Sequence, residues 1–341
     1  MVTLGVVRAA PPEELETSAL IAVLADDWGL DVEAVDYAAV GGGSYHWLVK
    51  DLEGTRSFVT ADDLDQKPWL GKTRESAFDG LRRAFDTAVA LRDSGVGFVV
   101  APIPTSQGET VRRIGPRHTI ALFPFVDGEP GTFGTYETAE RAALLAMLAD
   151  LHEATPLAAS VARRIDLALP GREKLEAALE AMNQTWSGGP LSEPARRTLA
   201  PHASDVAELL ALLDRLSADV ATRGTDWVIT HGEPHGGNVI RAGESYVLVD
   251  WDTVALAPRE RDLWMLVEDT AEEAASYTDA TGQQLDQIAV SFFRLTWDLA
   301  DIAAFTDLLR SPHGHDEDTE KAYKALTYYV TTRDRWARLL V

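Results

Sequence analysis

The chain of 341 residues contains no cysteine and no long hydrophobic run. The absence of cysteine excludes disulfide bonds, thiolate nucleophiles and zinc sites built on cysteine. No stretch reaches the roughly 18 to 20 apolar residues that a membrane-spanning helix needs. The first residues also lack the basic and then apolar segments of a signal peptide, so we expect a cytoplasmic protein.

Basic residues are scarce, because 31 Lys and Arg stand against 54 Asp and Glu and give a formal net charge of −23. A surface this acidic repels phosphate backbones and anionic lipid, so neither nucleic acid nor membrane is an expected partner. It would attract metal ions or cationic small molecules, although acidity can also serve solubility alone. An enzyme of this charge that used a nucleotide would need local cations at its phosphate site, including Mg²⁺.

The chain changes character near residue 127, from strand-rich to helix-rich sequence. Three runs rich in β-branched and aromatic residues, 35–40, 45–52 and 57–64, predict an antiparallel meander, and a further strand is predicted over 118–126. Helical periodicity is present over 12–29, 73–94, 137–155, 171–185, 203–222, 259–275, 284–309 and 317–340. We therefore expect an α+β fold with a β-rich N-terminal lobe, residues 1–126, and a mainly helical C-terminal lobe, residues 127–341.

The stretch THGEPHGGN, residues 230–238, places several polar side chains on one tight loop between two apolar runs. His231, Glu233 and Asn238 have the spacing of the protein-kinase catalytic loop, H-R-D followed by four residues and Asn, with Glu in place of Asp. Asp250 ends the next apolar run. Phosphoryl transfer needs a carboxylate that holds the acceptor hydroxyl and oxygen ligands that hold Mg²⁺, and these residue types supply both.

The segment HGEPHGGNVI…YVLVDWDTVALAPRERDLWML resembles the aminoglycoside phosphotransferase and choline kinase-like family, whose usual loop reads H-G-D-x-H-x-x-N. The resemblance implies a protein-kinase-like two-lobed fold and an ATP- and Mg²⁺-dependent transfer of the γ-phosphate to a small-molecule hydroxyl. An aminoglycoside, an aminocyclitol antibiotic or a related metabolite would be the acceptor. It implies that Glu233 is the catalytic base, that His231 braces the loop, and that Asn238 and Asp250 bind the metal. Asp252 would contact metal, phosphate or substrate, or stabilise the following turn.

Two departures from the family pattern leave an alternative open. Glu233 is one methylene longer than Asp, and a misplacement of about 1 Å can cost roughly 100-fold in rate. Thr60 stands where kinases carry a lysine on the third strand, and Lys67, Lys72 or Arg74 downstream could take over that role. A nucleotide-binding pseudokinase that acts by binding alone is therefore the alternative function. A metal-dependent hydrolase that uses the same carboxylates is a third.

A glycine-rich turn precedes the second predicted strand, where kinase-like folds cover the phosphates. Its glycines would let backbone N–H groups approach phosphate without a side-chain clash, whereas an ordinary hairpin turn is the structural alternative. With Thr60, the turn forms the expected phosphate side of the nucleotide site. The turn consists of Gly41, Gly42, Gly43 and Ser44.

The predicted strand over 118–126 occupies the linker position between the lobes. The resemblance implies that adenine meets the C=O of Pro124 and the N–H of Val126, with Phe123 beside the ring. A plain edge strand is the alternative.

The late helix around 289–310 carries the residues that we expect to contact the acceptor. Trp297, Asp298 and Asp301 lie beside its apolar stripe, and an aromatic ring next to carboxylates suits a cationic, hydroxyl-bearing ligand. A core Trp and two ordinary acids are the alternative. The expected partners are therefore ATP, Mg²⁺ and a small hydroxyl-bearing acceptor of cationic character, and no oligomeric state is predicted.

Overall fold

The computed structural model describes residues 8–134, 136–223, 226–267 and 275–332. They form two compact units. The first takes its described residues from Val7–Ile165 and Trp227–Gln284, and the second from Asp166–Asp226 and Leu285–Val341. All described strands belong to the first unit, and the second is helical. The predicted α+β class is confirmed, whereas the predicted division into residues 1–126 and 127–341 stays a prediction.

A five-stranded antiparallel sheet forms the N-terminal part of the first unit, in the order β1-β2-β3-β5-β4. Its strands are β1 (Val32–Ala38), β2 (Tyr45–Asp51), β3 (Arg56–Asp63), β4 (Arg112–Ile114) and β5 (His118–Pro124). The register places Thr60 beside His46 on one side and Ala121 on the other. The predicted meander is confirmed, and β4 is an addition that its short sequence did not reveal.

The helices occupy both units and are numbered here along the chain. They are α1 (Thr17–Trp28), α2 (Arg74–Asp93), α3 (Thr138–Glu153), α4 (Thr155–Ala158), α5 (Arg172–Glu180), α6 (Ser192–Leu199), α7 (Ala203–Thr222), α8 (Glu260–Leu263), α9 (Ala275–Thr281), α10 (Gln287–Arg310) and α11 (Glu317–Thr331). Within the described residues, every helix is too short or too polar to span a bilayer.

The helix predictions hold best where the apolar stripe is long. The predicted helix over 12–29 begins only at Thr17, because the residues after Pro12 form a turn. Within the predicted range 259–275, the described residues contain α8 and the first residue of α9. Residues 268–274 lie outside the described part of the chain, as do 333–341. The short α6 was not predicted, since its eight residues carry too few apolar positions to show a period.

The two faces of the five-stranded sheet pack against different helices, because side chains alternate along each strand. One face buries Val59, Ala61 and their neighbours in a core with α1. The opposite face places Phe58 and Phe123 in a core with α2. By the same alternation, Thr60 and Asp62 project from the α2 face.

The first unit continues with five short strands. They are β6 (Glu129–Pro130), β7 (Val228–Thr230), β8 (Val239–Ala242), β9 (Ser245–Leu248) and β10 (Ala255–Ala257). A three-stranded sheet has the order β6-β8-β9, and β7 pairs with β10. The predicted loop-and-strand island at 225–252 therefore consists of paired strands whose loops carry the polar motif. In the second unit, α10 packs against α5, α7 and α11.

Candidate active site

The loop 231–238 connects β7 to β8, and its far end meets the strand that precedes Asp250. In the β8–β9 hairpin, Val239 lies opposite Leu248. The C=O of Asn238 accepts a hydrogen bond of 3.0 Å from the N–H of Val249. Since Asp250 follows Val249 directly, the hairpin brings Asn238 and Asp250 to the same end, as the motif predicted.

Asp262 holds the backbone at the start of this loop. Its Oδ2 accepts the N–H of His231 at 2.8 Å, and its Oδ1 accepts the N–H of Gly232 at 2.6 Å. Burial would raise the pKa of Asp262, but a hydrogen bond of 3.1 Å with Nε2 of His152 and the charges of His152, Arg261 and His231 together lower it. The second nitrogen of His152 lies 2.7 Å from the hydroxyl of Tyr277. An ionised, buried carboxylate therefore fixes the loop.

Asp262, His152 and Tyr277 were not identified from the sequence. The only signal was a histidine or an acid at an apolar helix position, in LADLHEA and RERDLW, and buried polar residues of that kind are as often purely structural.

His231 is fully buried beneath the loop. Its Nε2 lies 2.9 Å from the C=O of Val249, and its Nδ1 accepts the N–H of Glu233 at 3.3 Å. The ring packs edge-on against Trp251, with 4.8 Å between centroids. Burial lowers the pKa of His231, so the ring is neutral and the Nε2–H donates to Val249. Both nitrogens are used to hold backbone, which is the geometry of the predicted brace.

Gly232 occupies the position where protein kinases carry an arginine, and Arg261 fills the adjacent space. The residue has φ +100°, and a Cβ added there would lie 2.3 Å from Nη2 of Arg261. Arg261 is held by Thr230 Oγ1 at 2.8 Å and by the C=O of Thr253 at 3.0 Å. The backbone conformation and the close guanidinium therefore both require glycine.

We expect Gly232→Ala to lower the melting temperature more than Gly243→Ala does. Gly243 lies in the β8–β9 turn with φ +65° and open space around its Cα, so both variants carry the left-handed strain of about 1–2 kcal/mol. Only Gly232→Ala also forces Arg261 to move. Thermal unfolding followed by circular dichroism measures both variants, and equal losses would contradict the contact with Arg261.

Glu233 and Asn238 are fixed to each other through the backbone. The C=O of Glu233 accepts Nδ2 of Asn238 at 2.9 Å and the N–H of His235 at 2.8 Å. Glu233 itself is half-buried, whereas Asn238 is buried. Because the amide nitrogen of Asn238 donates to Glu233, its amide oxygen is the atom that can face a cation.

Asp250 has the features of a cation ligand. It adopts the left-handed conformation, φ 66° and ψ 64°, which is uncommon for a residue other than glycine. The residue is exposed, yet the surrounding protein raises its pKa well above 3.8, first by desolvation and then through the charge of Asp252, with a further contribution from Glu233. The negative charges of Asp252 and Glu233 therefore disfavour the ionised form of Asp250, and the charge of Lys67 offsets part of this effect.

The oxygen atoms that Asn238 and Asp250 offer suit Mg²⁺, which needs few protein ligands, better than a metal ion whose ligands all come from protein. Among the described residues, no group of three or more His, Asp or Glu side chains is arranged to hold a metal ion. Asn238 and Asp250 offer one amide oxygen and one carboxylate, and Mg²⁺ usually keeps several waters and takes the remaining ligands from phosphate. The residues present therefore fit the expected ion.

Lys67 is the buried cation of the site. Only 1% of its side chain is exposed, and its Nζ lies 2.6 Å from Oδ2 of Asp252, 2.8 Å from Oδ1 of Asp62 and 3.0 Å from Oγ of Ser44. Burial would lower the pKa of Lys67, but the charges of Asp252 and Asp62 raise it above its ordinary value. Asp252, predicted as a contact of substrate, metal or phosphate, is thus paired with Lys67.

Thr60 and the glycine-rich turn lie near this lysine. Thr60 Oγ1 lies 3.2 Å from Nδ1 of His46, which precedes Trp47 on β2. Gly41, Gly42 and Gly43 lead into β2, and Ser44 donates through Oγ to Oδ1 of Asp62 at 2.6 Å. The turn therefore lies next to the buried charge cluster, whereas direct contacts of these residues with nucleotide stay predictions.

The residues predicted to meet adenine lie at the end of β5. Phe123 is buried and packs edge-on against Phe85 of α2, at 5.5 Å between centroids. Pro124 is exposed as the last residue of the strand, and Val126 follows outside the sheet. Their contacts with a nucleobase stay predictions.

The predicted acceptor residues belong to α10, in the second compact unit. Asp298 is buried, Trp297 is half-buried, and Asp301 accepts a hydrogen bond of 2.5 Å from the hydroxyl of Tyr329. Their contact with an acceptor stays a prediction.

The sequence model of the phosphotransferase enzyme family, APH, matches residues 46–305, and these include strands β3 to β10, Lys67 and the whole loop 231–238. The chain belongs to this family. Protein StrN of Streptomyces griseus is 27% identical over 272 residues, which cover 77% of this chain and 80% of that protein. The predicted family and the prediction of a phosphotransferase enzyme are thereby confirmed.

Two of the solved structures that this chain resembles illustrate the shared fold. Spectinomycin phosphotransferase APH(9)-Ia, in complex with ADP and spectinomycin, has a TM-score of 0.73 at 19% identity and covers 96% of this chain and 100% of its own. Amicoumacin kinase hAmiN, with AMP-PNP, Ca²⁺ and Ami, has a TM-score of 0.57 at 14% identity, over 92% and 94% of the two chains. The predicted protein-kinase-like fold is therefore confirmed.

Proposed function

We propose that the protein transfers the γ-phosphate of ATP to a hydroxyl of a cationic small molecule, with Mg²⁺ as cofactor. The observation that carries this proposal is the convergence of Glu233, Asn238 and Asp250 on one rigid loop-and-hairpin element. Asp262 and His231 hold that element by hydrogen bonds to its backbone. Such rigidity is what phosphoryl transfer needs, because its catalysis consists mostly of positioning and charge stabilisation.

In the proposed reaction, the acceptor oxygen attacks the γ-phosphorus while the bond to the β–γ bridging oxygen breaks and ADP leaves. Glu233 orients the acceptor hydroxyl and takes its proton. Asn238 and Asp250 would hold Mg²⁺, which neutralises the phosphate charge when it is bound. Arg261, close to Glu233 and held by Thr230, adds a fixed positive charge beside the base.

A cationic acceptor is favoured by charge. The net charge of −23 attracts amines and repels anionic metabolites. Spectinomycin phosphotransferase and amicoumacin kinase bear the names of small-molecule ligands that their structures contain. We therefore place aminocyclitols, aminoglycosides and amino alcohols first among the acceptor candidates. Resistance to such an antibiotic, acting in the cytoplasm, is part of the proposal.

A phosphate-transfer screen tests the function. The protein is incubated with γ-labelled ATP and Mg²⁺ against spectinomycin, aminoglycosides, amino alcohols and neutral sugars, with Asp250→Asn as the inactive control. We expect label in one cationic acceptor and none with the variant. Thermal stabilisation by ATP without any product would favour the pseudokinase. Free phosphate released without an acceptor would favour a hydrolase.

A further inference from the structure

Strand β3 has no lysine at the position where kinase-like folds carry one, since Thr60 stands there. We propose that Lys67, on the segment between β3 and α2, is the residue that binds the nucleotide's phosphates. Asp62 holds this lysine in place, and Asp252 is the partner that phosphate replaces. The inference rests on the proposed use of a nucleotide, although its tests require neither Mg²⁺ nor an acceptor.

The position of the ammonium group is the first argument. Three separate segments contribute an oxygen to it: Ser44 from the glycine-rich turn, Asp62 from the end of β3, and Asp252 from the segment after β9. A Cβ added to Gly43 would lie 3.7 Å from the lysine nitrogen. The ammonium therefore lies directly beside the turn whose backbone would face phosphate.

The segment that carries Lys67 is itself rigid. Asp63 caps the short helical turn Leu64–Gln66 and binds Arg117 through both oxygens, at 2.9 and 2.7 Å. On either side of the lysine, Leu64 and Leu70 are buried in the core with α2. The backbone that carries Lys67 is therefore held in place on both sides, as the backbone of a strand is held by its neighbours.

Other residues that could have bound phosphate or paired with the phosphate-binding lysine form ion pairs at the surface. Arg74 is exposed and binds Asp65 at 2.6 Å. The acids of α2 that could have held a phosphate lysine are also exposed, and Glu75 and Asp79 bind Arg113 and Arg82. The carboxylate that holds Lys67 is therefore on β3, on the strand that usually supplies the lysine itself.

Hydrogen-bond capacity explains why one partner has to leave. An ammonium group has three donors, and those of Lys67 meet Asp252, Asp62 and Ser44. Asp62 is the permanent partner because it is fully buried and also accepts the Ser44 hydroxyl. Asp252 is the more accessible of the two carboxylates, because 8% of its side chain is exposed against 1% for Asp62. Phosphate oxygens can therefore take the place of Asp252.

Calorimetry in EDTA can separate phosphate binding by Lys67 from a purely structural role. ADP carries phosphates and adenosine does not, so only ADP binding should depend on the lysine. We expect Lys67→Met to weaken ADP binding by about 10- to 100-fold, the effect of a lost hydrogen bond between charged groups. Adenosine binding should change less than about twofold. The matched control is Lys72→Met, an exposed lysine on the same segment, and it should bind both as the wild type does. A folded Lys67→Met protein with unchanged ADP affinity would overturn the proposal.

Loss of one buried charge can unfold the chain, so a second variant keeps Lys67 in place. Asp252→Asn leaves the pair of Lys67 and Asp62 intact and frees the donor that phosphate needs. We expect it to strengthen metal-free ADP binding by about 2- to 10-fold, the effect of one net hydrogen bond, with adenosine unchanged. Asp250→Asn removes an equal charge that has no hydrogen bond to Lys67, and its gain should be smaller. An equal gain in both variants, or none with Asp252→Asn, would overturn the exchange.

Discussion

Glu233→Ala is expected to slow phosphoryl transfer to a true acceptor by about 10²- to 10⁴-fold, the usual contribution of a positioned general base. Nucleotide affinity should change little, because the variant keeps the backbone C=O of Glu233, which accepts the hydrogen bond from Asn238. Steady-state kinetics with the acceptor found in the screen would measure the loss in kcat. The KM for ATP should stay near the wild-type value.

Glu244 provides the matched control for Glu233. It is exposed in the turn of the β8–β9 hairpin, on the same supersecondary element, and Glu244→Ala should keep wild-type rates. Full transfer by Glu233→Ala would show that this carboxylate is not the base.

Glu233→Asp distinguishes an enzyme built around Glu from an impaired relative. The shorter side chain withdraws the carboxylate by about 1 Å, so an enzyme adapted to Glu should lose roughly 100-fold in rate. A gain in rate would instead indicate that Asp is the better base at position 233 and that the chain is an impaired relative. The same kinetic assay reports both outcomes.

The geometry of the loop 231–238 and the β8–β9 hairpin could be predicted because its parts are close in the sequence. The spacing from His231 to Asn238 encodes one loop, and the apolar runs around it encode the strands that return Asp250 to the same end. The bracing role of His231 was implied by the family resemblance, and both ring nitrogens of His231 do contact backbone. Here local sequence determines local geometry.

Lys67 shows where this reasoning ends. Its contact with Asp252 joins residues 185 positions apart, and no periodicity in either segment encodes it. A lysine between Asp65 and Trp69 looks like an ordinary surface charge. Only the folded chain shows that Leu64 and Leu70 are buried on either side of Lys67, and that the lysine is therefore buried next to Asp62. The same holds for Asp262 and His152, which meet across 110 positions.

Asp250→Asn is expected to abolish Mg²⁺-dependent transfer while making the ligand-free protein more stable. Removal of the carboxylate takes away one of two proposed metal ligands, and we expect a loss of at least about 10²- to 10³-fold, as for the loss of other groups that stabilise charge in a transition state. Asparagine also adopts the left-handed conformation of Asp250 more readily than most residues. Radiolabel transfer and chemical denaturation in EDTA measure the two effects.

The gain in stability should depend on pH in a defined direction. Desolvation and the charge of Asp252 raise the pKa of Asp250 above 3.8 in the folded state. An acid whose pKa is raised by folding stabilises the fold fully below its unfolded pKa, and that contribution is lost as the pH rises through the folded value. The wild type should therefore lose stability relative to Asp250→Asn over this range. The difference in unfolding free energy should grow with pH and then level off.

The exposed Asp31 serves as the control, because Asp31→Asn removes the same charge where no such crowding exists. It should leave the pH profile of the wild type unchanged. Saturating Mg²⁺ with ADP should then reverse the order of stability, since a bound cation favours the ionised Asp250 and gives nothing to asparagine. If Asp250→Asn were less stable than the wild type in EDTA at neutral pH, the carboxylate would be a structural group. The strain and repulsion at this position would then have no relation to a metal.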